Sequence, residues 1–144
     1  MILPDVNVLA HAVNVGVAQH ATARAALQDA FKNDKVALAW AAMLGFLRLT
    51  TRPGILARPL PVDAALDMLR RWSAHPSALV IQPTTNHASV LSRLLLGVGK
   101  GQGQGGNIVS DAHLAALAIE HGATLLTFDR DFDRFTGLKV KRLR

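Results

Sequence analysis

Three aspartates stand out for what surrounds them. Asp5 follows the apolar Ile2-Leu3-Pro4, and Asp129 follows Thr124–Phe128. Asp111 opens the apolar, helix-patterned segment after a glycine-rich stretch. The acids of this chain are unusual as a set: one glutamate, Glu120, and nine aspartates. A plain solvated surface in a helix-rich protein uses glutamate, the better helix former, so short, stiff carboxylates point to a site. If Asp5, Asp111 and Asp129 converge, two of them about 4 Å apart repel by about 4 kcal/mol at an effective dielectric of about 20. Protons or a cation must then compensate. Hard oxygen donors of this kind suit Mg²⁺ or Mn²⁺, which also bind water and phosphate oxygens. Such an ion lowers the pKa of an attacking water and neutralises charge on a phosphodiester.

Convergence depends on the elements that carry these residues. Ile2-Leu3 reads as a short buried strand leading into Asp5, followed by a helical turn through Val8, Leu9 and Ala12. Helical spacing recurs over Ala18–Phe31, Trp40–Leu49, Val62–Trp72, Ala88–Leu96 and Ile108–His121. Pro61 stands near the start of the third of these and Asp63 in its first turn. Gly122 stands where a helix-ending glycine belongs. Strands are expected at Lys35–Ala39, Leu79–Ile81, Thr124–Phe128 and Leu138–Val140, with one helical turn over Asp131–Phe135. Strands separated by long helical stretches imply an α/β fold with a mostly parallel sheet and helices on both faces. Ligand sites in such sheets lie outside the carboxyl ends of the strands. Asp5 and Asp129 sit at those ends, and Asp111 is expected in the first turn of the helix feeding the last of them.

With 144 residues, no cysteine and no composition break, the chain reads as one domain, residues 1–144, without disulfides, a thiol nucleophile or a Cys-ligated zinc. Sixteen Lys and Arg against ten acids give a net charge of +6, which favours a polyanionic partner such as nucleic acid. The longest apolar charge-free run, Val36–Leu47, is too short for a membrane span, which takes about 20 residues. The start of the chain lacks signal-peptide features; a soluble, cytoplasmic protein is expected.

Asp5-Val6-Asn7-Val8-Leu9, then Val109-Ser110-Asp111-Ala112-His113-Leu114-Ala115-Ala116, then Thr127-Phe128-Asp129-Arg130-Asp131-Phe132 resemble the three acidic motifs of PIN-domain ribonucleases, and more narrowly the VapC toxins of toxin–antitoxin pairs. The resemblance covers essentially the whole chain. It implies a PIN-like three-layer α/β/α sandwich and a Mg²⁺-dependent endoribonuclease, Mn²⁺ being an alternative ion, that leaves a 5′-phosphate on RNA. It also implies inhibition by a VapB-type antitoxin and a homodimer. Carried over by residue, Asp5, Asp111 and Asp129 would be the catalytic metal ligands, Asn7 would orient Asp5, and Asp131 would be an outer member. The sequence departs from the family at Gly45, which stands where PIN nucleases commonly have a glutamate; this leaves open whether one metal binds or two. Gly45→Glu is expected not to abolish metal binding.

Blander readings stand beside these. Asp5 also has a blander reading as a strand-end turn former, Asp111 as a complement to a helix dipole, and Asp129 with Asp131 and Asp133 as a solvated charged turn. All three accidents at one sheet edge are far rarer than any one. Asn7 reads as a local cap as readily as a support for Asp5. The six histidines lack metal-ligand spacing and read as surface or packing residues, and Glu120 as a solvated late-helix residue. Arg48, Lys100 and Arg130 are the basic side chains expected to meet an RNA backbone. The tail, with Lys139, Lys141, Arg142 and Arg144, reads either as phosphate contacts of a non-catalytic nucleic-acid-binding module or as a charged edge strand. Gly101–Gly106 matches G-x-G-x-x-G, the mark of a dinucleotide-binding unit, although the segment before it has helical spacing. The other outcome for this stretch is a surface loop carrying Lys100.

Overall fold

The computed structural model describes residues 1–54, 58–98 and 107–144. Five strands form one sheet: β1 (Ile2–Pro4), β2 (Val36–Ala39), β3 (Ala78–Ile81), β4 (Thr124–Thr127) and β5 (Val140–Arg142). Their spatial order is β3-β2-β1-β4-β5 and every pairing is parallel. The helices among the described residues are α1 (Val6–Val13), α2 (His20–Asn33), α3 (Trp40–Thr51), α4 (Val62–Ala74), α5 (His87–Gly97) and α6 (Asn107–Glu120). A 3₁₀ turn spans Arg130–Arg134. The α/β class with a parallel sheet is therefore as expected.

Strand order explains the layers. The chain steps outward from β1 to β2 to β3, then returns across the sheet to β4 and β5 on the other side of β1. Right-handed crossovers place the connecting helices of these two halves on opposite faces. In agreement, α1 packs on α2 and α3, and α3 on α4, while α5 packs on α6. Because both faces are covered, the inner strands read as unbroken apolar runs: all four residues of β2 are buried.

The reversal of strand order falls between β1 and β4. Here the sheet is held by Ile2↔Thr124, Leu3↔Leu125 and Pro4↔Leu126, whereas β1 meets β2 only at Ile2↔Val36. Pro4 has no N–H to give and occupies the last position of β1, where the β2 side is already unpaired. Chain reversal on the two sides of this point opens a crevice at the carboxyl ends of β1 and β4.

Local chemistry sets the element ends. Gly122 has φ +65°, and the Ala123 N–H bonds back to the Ala118 carbonyl at 2.8 Å, the αL closure expected after α6. Val62 begins α4 directly after Pro61, with Asp63 in its first turn. Two expectations need correction. The last strand is Val140–Arg142, not Leu138–Val140, because an edge strand pairs through its backbone and has no need of apolar side chains; Leu138 packs against the core just before it. The strand before Asp129 ends at Thr127, not Phe128. Lys100 and Gly101–Gly106 lie outside the described residues. The dinucleotide reading fails regardless, because the element preceding that stretch is a helix, α5, and not the strand a Rossmann unit requires.

The two edges of the sheet differ. On β3, Leu79 and Val80 are 48% and 39% exposed, whereas β5 carries Lys141 and Arg142. No helix among the described residues is long and apolar enough to cross a membrane.

Gly45 is buried inside α3 at its crossing with α1. A Cβ built there would stand 2.7 Å from Cγ2 and 3.0 Å from Cγ1 of Val6, the residue that follows Asp5. Val6 is β-branched and stiff at χ1, so any side chain at position 45 must push the Val6 side chain aside. Gly45→Ala gains about 1 kcal/mol of helix propensity but overpacks a contact of a kind that costs about 1–3 kcal/mol. A net loss in urea unfolding is expected, and it should disappear when the substitution is made in a Val6→Ala background.

Candidate functional site

Asp5 is tied to β4 by both backbone and side chain. Its N–H donates to the Leu126 carbonyl at 2.9 Å, extending the β1–β4 ladder by one bond. Its residue is 6% exposed. Oδ1 accepts the Val6 N–H at 2.6 Å, capping α1, and Oδ2 accepts the Thr127 hydroxyl at 2.8 Å. The same hydroxyl oxygen accepts the Asp129 N–H at 3.0 Å. One wholly buried threonine thus sets the spacing of two of the three expected carboxylates. Asp129 Oδ1 then accepts the Asp131 N–H at 2.8 Å and starts the 3₁₀ turn.

Asp111 approaches from α6. It is the fifth residue of that helix, whose first turn holds no acid. The expectation of a first-turn position is therefore wrong, and a helix-dipole role goes with it, since that effect fades within one turn. Arg134, the last residue of the 3₁₀ turn, donates from Nη2 to Asp111 Oδ2 at 2.8 Å. Both side chains are largely covered, 16% and 22% exposed.

The carboxylates act on one another. Burial pushes Asp111 up to about 6, against the pull of Arg134, and the charges of Asp5, Asp129 and Asp131 push the same way. Asp5 is also raised, chiefly by burial. Hydrogen bonds from Thr127 and Val6 oppose that rise and the charge of Asp129 adds to it. Asp5, Asp111 and Asp129 are therefore gathered at one rim, with the exposed Asp131 at its margin. As the side chains stand, no three acids or imidazoles among the described residues are close enough to hold a single ion. The donors are nonetheless of the hard, anionic kind that Mg²⁺ and Mn²⁺ take, and they carry excess negative charge for a cation to balance.

Other expected residues are placed differently. Asn7 is the second residue of α1, and the partners of the Asp5 carboxylate are Thr127 and Val6, not Asn7. Arg48 and Arg130 are exposed, and the guanidinium that acts on Asp111 is that of Arg134. Asp133 pairs with Arg142. Glu120 is not solvated: its side chain is 3% exposed. Oε1 accepts the Thr84 N–H at 3.0 Å and the Thr84 hydroxyl at 2.6 Å, while Oε2 bonds His87 Nδ1. His87 Nε2 in turn meets His113 Nδ1 at 2.9 Å. Burial works against the charge of Glu120, but these donors outweigh it and hold the carboxyl below its usual range. The network clasps the end of α6 to the start of α5.

With this geometry in place the chain can be set beside known proteins. Residues 2–138 match the PIN domain. Ribonuclease VapC37 of Mycobacterium tuberculosis is 44% identical over 140 residues, covering 96% of this chain and 94% of the relative. Ribonuclease VapC33 of the same species is 35% identical over 140 residues, covering 96% and 95%. Among solved structures, VapBC2 from Rickettsia felis, bound to a DNA fragment from its promoter, superposes with a TM-score of 0.73 over the whole of both chains at 17% identity. The chain belongs to the PIN-domain family, and within it to the VapC ribonucleases.

Two outcomes follow from the site's geometry. Thr127→Val removes a hydrogen bond to a carboxylate, worth about 1.5–3 kcal/mol. A loss of that size is expected in urea unfolding at pH 7, and Thr127→Ser, which keeps the hydroxyl, should recover most of it. The second outcome concerns pH. Unfolded, Asp111 titrates near 3.8; folded, near 6. Between those values the fold holds a proton that the unfolded chain has released. The stability this group contributes is full below the lower value and is lost as pH rises through the upper one. Asp111→Asn should therefore match the native chain in melting temperature near pH 4 and exceed it at pH 7, without divalent cations. Parallel curves across pH 4–8 would contradict the assignment.

Proposed function

We propose that this chain is a metal-dependent endoribonuclease and the toxin of a VapBC-type pair. The observation that carries the reading is geometric: Asp5 and Asp129 share the Thr127 hydroxyl at the carboxyl ends of β1 and β4, and Asp111 is bound by Arg134 of the turn that starts at Asp129. Asp5, Asp111 and Asp129 would hold Mg²⁺ or Mn²⁺, with Asp131 as an outer carboxylate. The bound ion would activate water for attack on an RNA phosphodiester and offset the charge that develops. The chain's own residues do the rest. Thr127 keeps the Asp5 carboxylate aimed while it bears charge, and burial of Asp5 strengthens every electrostatic contact there. Exposed Arg48 and Arg130 would hold phosphates flanking the scissile bond, as would Lys100.

The partners have support of the same kind. The Rickettsia felis relative was solved as a VapBC assembly. Here two open clefts run along α2 and α4, away from the carboxylates, and share Met68 and Arg71. Phe31 and Trp72 line one, and Val13 and Leu60 the other. Apolar floors edged by Lys32, Arg24 and Arg71 suit an amphipathic, acid-bearing antitoxin segment. Trp40 and Leu44, one turn apart on α3 and each 49% exposed, suit a second copy of the chain in a homodimer. The net charge of +6 fits a protein that acts on RNA.

The test is cleavage of a mixed tRNA and rRNA pool with Mg²⁺ or with EDTA, the native chain and Asp5→Asn in parallel. Specific fragments that require both the ion and Asp5 are expected. RNA retained but uncut in Mg²⁺ and in Mn²⁺ would instead make the chain a nucleic-acid-binding module.

A further inference from the structure

We propose that Arg134 is the resident counter-cation of the carboxylate cluster: it holds Asp111 until a divalent cation displaces it. The inference rests on the metal-nuclease reading and goes beyond it, by naming the group that an entering ion must outcompete. Arg134 arrives from the 3₁₀ turn that begins immediately after Asp129, so one short segment supplies both a carboxylate and a guanidinium to the crevice. The pair is direct and largely covered, with Nη2 2.8 Å from Oδ2. Its charge opposes the rise that burial and three neighbouring carboxylates impose on Asp111.

Two further features point the same way. The carboxylates sense one another but are not gathered round a common point among the described residues. Closing them on an ion therefore requires Asp111 to trade its present cation for the new one. The guanidinium also has a second perch: its Cζ lies 5.1 Å from the centroid of the Phe135 ring, a cation–π distance. Arg134 can give up the carboxylate without losing every favourable contact.

Isothermal titration with Mn²⁺ at pH 8, above the value of about 6 to which Asp111 is pushed, tests the exchange. Removing a competing cation should tighten binding, so Arg134→Gln is expected to bind Mn²⁺ about fivefold or more tightly than the native chain. Arg134→Lys, which keeps the charge, should stay within about twofold of it. A Gln variant that binds no tighter than native, or a Lys variant as tight as the Gln variant, overturns the proposal. A second measurement uses the native protein and needs no variant to fold. A held guanidinium shows resolved Nη protons in NMR because its rotation is restricted, and saturating Mg²⁺ should collapse that splitting for Arg134. Splitting that survives saturation overturns the exchange while leaving the nuclease reading intact. No Mn²⁺ uptake by the native chain overturns both.

Discussion

A single buried hydroxyl sets the carboxyl edge of the sheet. Thr127 ends β4, donates to Asp5 beyond the end of β1, and accepts the backbone N–H of Asp129. Without that contact the two strands would still pair, since their ladder needs only backbone. The crevice between their ends would have no fixed width. Threonine suits the position because its methyl group packs among buried neighbours while its oxygen both gives and takes a hydrogen bond. The arrangement also lets a carboxylate stand 6% exposed in the core: it is paid for in donors from Val6 and Thr127.

Around this fixed point the site is built from opposing charges. Asp111 comes from a helix on the far side of the strand reversal, and its burial next to other carboxylates disfavours its ionised form. Arg134 offsets part of that penalty. Such a balance is unfavourable for the isolated fold and suited to a site that binds a cation and a polyanion. The clasp of Glu120, His87 and Thr84 at the other end of α6 serves a different purpose. It locks the helix that carries Asp111 against α5, so the charged end works against a held support.

Much of this was legible in the residues themselves. Asp5 and Asp129 follow short apolar runs, and a charge directly after a buried strand marks the carboxyl edge of a parallel sheet. The parallel order followed from helical stretches between strands. What stayed hidden depends on partners distant in sequence. Thr127 looks like any strand threonine until Asp5, at the other end of the chain, is placed beside it. Glu120 looks like a solvated helix residue because its donors, Thr84 and His87, lie more than thirty positions earlier. Arg134 hides in a turn of alternating charges, where pattern alone cannot separate it from Arg130. Gly45 reads as a missing glutamate, and only the approach of Val6 gives its reason. The last strand was misplaced because apolar spacing locates the residue that anchors an edge, not those that pair.

The sheet's unequal edges carry one more consequence. Lys141 and Arg142 on β5 set like charges against a second copy of the same strand. On β3, Leu79 and Val80 leave the opposite side apolar and unpaired. A sheet with two open sides can lengthen without limit, copy upon copy. Joining β5 to β5 would set these cations against one another, whereas joining β3 to β3 about a two-fold axis would cover apolar side chains and close on itself. Of the two like-with-like unions, the charge pattern of the edges thus favours the one that is finite.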